Sequence, residues 1–352
     1  MTKSNFNKSN VALAVVLALA MLTACGGGGG GASTASNNQA TVPSVPTPTV
    51  VASASVAIVN VAPAAPTYAD EELVAYNAFN TARSGCGFGY VQQSVTLDTA
   101  AYNHVYWEAL NRTTGHYEVA ATTGFTGVDP TARAIFAGYS NPVFVNEVLV
   151  RGGATLKAGY GLFGARGLLS APYHMSAIFD GNREIGISVK TGGPVGSGSD
   201  IESSVIPNVV PSFLVDMGAS STLLPQQQSS TDVLTYPCQG VTGTAISLKG
   251  ESPNPIPGRS LTTNPIGQPI FVQVKPGNAL VISNVSVAGP AGYITLEPTM
   301  TSLNDPNGYL TANKAIVMPS SPLLPNTIYS VAMTGTNGGV TFTKIFAFTT
   351  GS

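Results

Sequence analysis

The chemistry available to this chain centres on its histidines, because all three lie between His104 and His174. His116 and His174 stand at the two ends of an ordered series of short motifs. The series reads Gly115-His116, Gly138-Tyr139, Asn146-Glu147 and Ser170-Ala171-Pro172-Tyr173-His174, and Glu184-Ile185-Gly186-Ile187 follows it. A neutral imidazole can bind a metal ion, and such binding weakens as the pH falls below about 6. This part of the chain is therefore expected to hold the functional site.

Together with the segment Leu97–His104 that precedes them, these motifs resemble the bacterial branch of the CAP superfamily, the SCP/PR-1-like domain. The resemblance covers roughly residues 68–222, and the order of its six short motifs is more specific than any one motif alone. It implies an α-β-α sandwich with a central cleft. In that family the cleft is lined by two histidines and two glutamates, which in some members hold a divalent metal.

Transferred motif by motif, the resemblance assigns three cleft residues, His116, Glu147 and His174. Asn146-Glu147-Val148 replaces the Gly-Glu-Asn element of the family, so only its acid is retained. No motif places the second glutamate, and Glu118 and Glu184 are candidates by proximity alone. His104 is expected to be a packed or capping histidine rather than a ligand.

The resemblance leaves two interpretations of the cleft open. Two imidazoles and a carboxylate with an open fourth position would suit Zn²⁺ or another divalent cation, which could activate a water molecule. Alternatively, the same side chains form a hydrogen-bonded polar cluster that shapes the cleft without a metal.

Periodicity and capping residues predict the elements that would position the cleft. Asp98 can cap a helix, Asp129-Pro130 is a cap and first-turn pair, and Pro172 interrupts or restarts a helix. Helical patterns cover residues 70–83, 98–110, 130–138 and 165–179, and strand patterns cover 144–150, 184–190 and 212–217.

The residue pattern of the sequence changes after a connecting segment, residues 223–252. Short apolar runs recur between Gly, Pro and Asn from residue 253 to 352, which predicts an all-β sandwich. Asn337-Gly338-Gly339 is a hairpin signal between the last two runs. The last part of the sequence resembles bacterial Ig-like modules, which more often act as spacers or adhesive domains than as enzymes. The predicted fold class is therefore α+β, a CAP-type sandwich followed by an Ig-like sandwich.

The N-terminus predicts export and lipid anchoring. Lys3 and Lys8 precede an apolar stretch that is too short to span a bilayer, which is typical of a signal peptide over residues 1–25. Leu22-Thr23-Ala24-Cys25 resembles a bacterial lipobox, which implies acyl chains on Cys25 as the membrane partner. Gly26 after this cysteine suggests the outer membrane. The uncharged segment 26–67 is predicted to be a disordered tether.

Two cysteines remain once Cys25 is assigned to lipid. In an oxidising compartment Cys86 and Cys238 are most simply a disulfide that clamps the connecting segment onto the preceding domain. The alternative is a pair of free buried thiols.

Composition and motifs narrow the classes of function that the chain could have. Charged residues make up 9% of the chain and the formal net charge is −2, which argues against a nucleic-acid partner. Asp216-Met217-Gly218-Ala219-Ser220 is close to the retroviral-type aspartic protease element, but no second copy occurs. We expect a lipid-anchored envelope protein that binds a small amphipathic or envelope-derived ligand. The alternatives are a metal-assisted hydrolase of envelope or extracellular polymer and a structural or adhesive surface protein.

Overall fold

The computed structural model describes residues 54–152, 158–190, 192–193, 201–202 and 212–352. They all belong to one compact unit that spans residues 52–352. The predicted signal peptide, the lipid site Cys25 and residues 26–53 of the predicted tether lie outside the described residues. Within the described ranges, no helix is long and apolar enough to cross a membrane.

The protein is a mixed α+β structure, as predicted, with mostly strands in its C-terminal part. The helices of the described residues are α1 Asp70–Gly85, α2 Val95–Asn111, α3 Pro130–Phe136, α4 Tyr160–Leu168 and α5 Pro172–Ile178. The strands are β1 Val56–Ala57, β2 Gln92–Gln93, β3 Pro142–Arg151, β4 Glu184–Lys190, β5 Gly192–Gly193, β6 Ile201–Glu202, β7 Ser212–Ser220, β8 Gln226–Gln227, β9 Leu234–Tyr236, β10 Ile270–Gln273, β11 Leu280–Gly289, β12 Gly292–Tyr293, β13 Met300–Thr301, β14 Lys314–Val317, β15 Ile328–Asn337 and β16 Val340–Thr349.

The N-terminal sheet has the strand order β2-β4-β7-β3 and carries helices on both faces. Because side chains alternate along a strand, the odd-numbered residues of β7 from Phe213 to Met217 face the core that contains α1, α4 and α5. Leu214 faces the other way and packs on Ala101 and Val105 of α2. The helix lies so close that a Cβ at Gly186 would meet the backbone of Leu97 at 2.1 Å. Strand β3 forms one edge of this sheet.

Side-chain caps mark the beginning of α2 and α3. Asp129 caps α3 by accepting a hydrogen bond from the backbone N–H of Ala132, as predicted. The prediction that Asp98 caps α2 is wrong, because the helix starts one turn earlier and Ser94 is its cap. Asp98 instead accepts hydrogen bonds from the Tyr68 hydroxyl and the backbone N–H of Ile187. The predicted fourth helix is divided into α4 and α5, with Pro172 at the start of the second.

The C-terminal part contains two antiparallel four-stranded sheets, β13-β14-β10-β9 and β12-β11-β15-β16, which share a core. Strands β10 and β14 are buried along their whole length. Val272 and Val317 face the second sheet, whereas Phe271 and Ile316 enter the core of the N-terminal sheet and its helices. The first C-terminal sheet is therefore packed on both faces. The hairpin signal is confirmed, since Gly338 and Gly339 join β15 to β16 with φ of 57° and 84°.

The connecting segment is held from both sides. Its strand β9 pairs with β10, and the predicted disulfide between Cys86 and Cys238 is present, with the two residues separated by 152 positions. This bond joins the residue that follows α1 to the second residue after β9.

Residues 54–67 of the predicted disordered tether make ordered contacts with the folded part. Strand β1 pairs in parallel with β8, and the backbone N–H of Val59 donates to Gln226 Oε1 at 2.9 Å. Farther along, Thr67 donates to Gln93 Oε1 from its backbone N–H at 2.7 Å. These residues contribute little apolar surface but satisfy their backbone groups against the folded part, which composition could not reveal.

Candidate functional site

The first cleft histidine is paired with a buried glutamate on the edge strand β3. His116 Nδ1 lies 2.9 Å from Glu147 Oε1, and Arg133 from α3 donates to the other oxygen of Glu147. Burial alone would raise the pKa of Glu147, but the hydrogen bond from His116 and the charge of Arg133 outweigh it and lower the pKa. Glu147 is therefore a charged partner that orients the imidazole.

Helix α2 positions the loop that carries His116. Glu108 and His104 are one helical turn apart and share a face. The Glu108 carboxylate accepts from the backbone N–H of Gly115 at 2.9 Å, and His104 Nε2 lies 2.7 Å from the Gly115 carbonyl oxygen. Gly115 has a φ of 134°, which a residue with a side chain rarely adopts. The glycine before His116 is thus required by the backbone conformation, while the histidine supplies the chemistry.

The second cleft histidine is paired with a glutamate from the connecting segment. His174 Nδ1 lies 3.0 Å from Glu251 Oε1. The same oxygen accepts from the backbone N–H of Tyr173 at 2.7 Å and of His174 at 3.3 Å, in the first turn of α5. The Glu251 side chain is fully buried, and these three contacts hold its Oε1, whereas its Oε2 has no hydrogen-bond partner among the described residues.

Glu251 is the site residue that sequence analysis missed. The two proximity candidates lie elsewhere: Glu118 bonds His104 Nδ1 at 3.0 Å, and Glu184 accepts from the Tyr139 hydroxyl at 2.7 Å. Glu251 is 77 positions from His174 and belongs to no motif, so no local signal could have found it.

Both cleft histidines present the same ring nitrogen. Each places Nδ1 against a carboxylate, so the proton is assigned to Nδ1 and the lone pair to Nε2. The Nε2 atoms of His116 and His174 have no hydrogen-bond partner among the residues that the structure describes. The side chain of His116 is 38% exposed and that of His174 is 14% exposed.

Two adjoining cavities share His116, His174 and Ser252 in their walls. The one we name the apolar cavity has a volume of about 720 Å³ and includes Leu149, Phe163, Leu168 and Leu248 in its lining. The one we name the polar cavity has a volume of about 480 Å³ and includes Asn146, Glu147, Asp180 and Lys314. Edge strand β3 lines both cavities. Residues 247–253, Tyr309, Thr311 and Lys314 complete the walls from the connecting segment and the C-terminal part.

A zinc site does not fit this arrangement. Zinc in catalytic sites takes three protein ligands. Glu147 and Glu251 are instead engaged as Nδ1 partners, which leaves two imidazole nitrogens. Among the described residues, no group of three or more His, Cys, Asp or Glu side chains is arranged to hold a metal ion. The site as built is a pair of carboxylate–histidine units.

His104 has the structural role that was expected. Both of its ring nitrogens face oxygen atoms, so both must donate, which requires the imidazolium form. Burial would lower the pKa of His104, but the hydrogen bond to Glu118 and the charge of Glu147 outweigh it and raise the pKa. Glu118 also accepts from the backbone N–H groups of Thr126 and Gly127. His104 thus ties the loop after α2 to the helix.

Asp216 is an acid buried behind the site. It lies opposite Glu147 in the β3–β7 register, it is fully buried, and its carboxyl group faces the Glu147 carboxylate, to which a protonated Asp216 can donate a hydrogen bond. Burial and then the charge of Glu147 raise its pKa well above the ordinary value. An inaccessible acid inside a strand cannot act as the nucleophile-activating group of an aspartic protease, so the resemblance at this segment reflects strand β7.

Asp216→Asn is expected to alter how stability depends on pH. The folded protein holds the Asp216 proton more tightly than the unfolded chain, whose aspartate has a pKa near 4. The free energy of unfolding of the wild type therefore falls as the pH rises above about 4, through this group. The variant has no carboxyl group to titrate at this position and so lacks this loss. Its free energy of unfolding minus that of the wild type should therefore increase as the pH rises from about 4 to 8. Urea unfolding across this range measures the difference.

The control is Asp70→Asn at the exposed start of α1, which should leave the pH dependence nearly unchanged. Parallel curves for Asp216→Asn and the wild type would contradict a protonated Asp216.

Comparison with known proteins found no matching family model and no curated protein with detectable sequence similarity.

Proposed function

We propose that the chain is an exported, lipid-anchored protein that binds a small amphipathic molecule in the cleft formed by the apolar and polar cavities. The observation that carries this proposal is the adjacency of the two cavities across His116, His174 and Ser252. A molecule that spans them would place its apolar portion against Leu149 and Leu168 and its polar portion beside the two histidines.

We also propose that residues 68–222 form a CAP-type domain and residues 253–352 an Ig-like module. Helices on both faces of a four-stranded sheet, together with the ordered motifs, support a CAP-type arrangement over residues 68–222. Two antiparallel sheets on a common core support an Ig-like module over residues 253–352, to which the connecting segment adds strand β9.

The size and chemistry of the cleft support a small ligand. Sites for small molecules usually occupy roughly 300–1,000 Å³, with mainly apolar walls and a few placed polar groups. Both cavities fall within this range. Phe163 is about half exposed although it lines the apolar cavity, so a ligand there would remove its ring from water.

Phe163→Ser is expected to weaken binding of octyl probes about tenfold or more, because the ligand loses an apolar contact worth roughly 1.5–3 kcal/mol. The measurement is calorimetric titration with octyl β-glucoside and with octyl phosphate, each below its micelle concentration. Phe136→Ser is the matched control, since Phe136 is exposed and lines neither cavity. Failure of both probes to bind the wild type would overturn the proposed function.

A hydrolase is the second candidate, favoured by the two carboxylate–histidine pairs. An imidazole whose Nδ1 is held by a carboxylate presents Nε2 as a general base for water. His116→Ala would then abolish turnover of an envelope or extracellular polymer. Turnover that survives in His116→Ala and in His174→Ala would remove this candidate.

Cys25→Ser is expected to abolish lipid attachment, because the thiol of Cys25 is the acceptor in the lipobox-like sequence. Metabolic labelling with a fatty acid measures the attachment. Wild-type protein should carry label and the variant none, and label that persists in the variant would contradict the anchoring proposal.

A further inference from the structure

The loop between β13 and β14 is fixed to α5 through one carboxylate. Asp305 accepts a hydrogen bond from the Tyr173 hydroxyl at 2.5 Å. It also accepts from three backbone N–H groups, those of Asn307 at 3.0 Å, Tyr309 at 2.6 Å and Leu310 at 2.8 Å. Burial would raise the pKa of Asp305, but these hydrogen bonds, Tyr173 first, lower it. The loop is thus held in one conformation over the N-terminal part.

This anchoring places an exposed tyrosine in the wall of the polar cavity. The Tyr309 side chain lines the cavity and is 59% exposed. Its ring packs against Tyr173 at an angle of 67°, with the ring centroids 5.2 Å apart. Tyr117, which is 71% exposed, lines the same cavity from the loop after α2. Two exposed aromatic rings on a fixed scaffold can offer their faces to a ligand.

The charges in the polar cavity are already paired. Lys314 Nζ lies 3.4 Å from Asp180 Oδ2 and 3.1 Å from Ser176 Oγ. Glu147 is paired with Arg133 and His116. Because these charges neutralise one another, a charged head group would lose its hydration without gaining an unpaired partner of opposite charge. A neutral group with many hydrogen-bonding atoms avoids that cost.

We propose that the polar cavity binds a neutral saccharide, with Tyr309 as a specificity-determining residue supplied by the C-terminal part. A sugar ring has C–H groups that can contact the faces of Tyr117 and Tyr309. Its hydroxyls match the side chains of Asn146, Thr311 and Ser252 in the cavity wall. The inference rests on the proposed binding function of the same cleft and specifies the head group of its ligand.

The test compares three probes by calorimetric titration of the wild-type chain: octyl β-glucoside, octyl phosphate and cellotetraose, which lacks an alkyl chain. The wild type should bind octyl β-glucoside at least about tenfold more tightly than octyl phosphate. Tyr309→Ala should weaken both saccharide probes about five- to tenfold, the worth of one aromatic contact, and leave octyl phosphate unchanged. Tyr309→Phe keeps the ring and should bind nearly as the wild type does.

Tyr293→Ala is the matched control, because Tyr293 is 82% exposed on β12 and lines neither cavity. Absence of binding by octyl β-glucoside and cellotetraose would overturn the saccharide proposal, and octyl phosphate binding alone would keep the broader binding function. Equal weakening of octyl phosphate by Tyr309→Ala would also overturn it, since the ring would then act without regard to the head group.

Discussion

Removal of residues 253–352 is expected to unfold the remaining chain rather than release a stable N-terminal part. Phe271 of β10 lies in the core of the N-terminal part, with its ring centroid 6.0 Å from that of Phe88 and 5.7 Å from that of Phe179. Strand β9 would also lose its partner β10. The truncation therefore exposes a large apolar surface and leaves a strand unpaired. The free-energy cost of these two changes exceeds the marginal stability of a typical domain.

The measurement is urea unfolding of the truncated and the intact chain, followed by circular dichroism. Phe271→Ala should reproduce part of the effect, with a loss of about 3–5 kcal/mol in the free energy of unfolding. Phe136→Ala, at an exposed position, should change it by less than about 0.5 kcal/mol. A truncated chain that still unfolds cooperatively would show that the N-terminal part is independent.

Arg133→Met is expected to lower the free energy of unfolding by about 3–5 kcal/mol, because it removes the buried cation that donates directly to the Glu147 carboxylate. The Arg133 side chain is fully buried, donates to Glu147, and donates to the His116 carbonyl oxygen at 3.1 Å. Without it, Glu147 would keep only His116 and the more distant His104 as partners for its charge. Urea unfolding at pH 7 measures the loss.

The matched control is Arg166→Met on the exposed face of α4, which should cost less than about 0.5 kcal/mol. Glu147→Gln introduced beside Arg133→Met should recover part of the lost stability, because it removes the uncompensated charge. A single Arg133→Met variant with near wild-type stability would mean that Glu147 is neutral in the folded protein.

Local signals predicted the elements well where the deciding contact is local. The Asp129-Pro130 pair caps α3, and Gly338-Gly339 forms the tight turn that its sequence demands. Asp98 has the right residue type for a cap but bonds Tyr68 and Ile187, so a tertiary contact decided its role. Ser94 caps α2 in its place.

The site was likewise predictable only where local sequence motifs carry its residues. The motifs assigned His116 and Glu147 to one cleft, and the two side chains are in contact. They could not place Glu251, because its pairing with His174 depends on how the connecting segment folds back over α5. The sequence did contain a sign that β10 packs against both the N-terminal and the C-terminal cores. Ile270-Phe271-Val272 is apolar at every position, as in strands that are buried on both faces.

A crystal structure of the chain grown with octyl β-glucoside tests most directly whether the cleft shared by the two parts is the ligand site. We expect the alkyl chain in the apolar cavity against Leu149, Phe163 and Leu168, and the sugar in the polar cavity beside His116 and Tyr309. An amphiphile bound elsewhere on the protein, with both cavities holding only solvent, would contradict it.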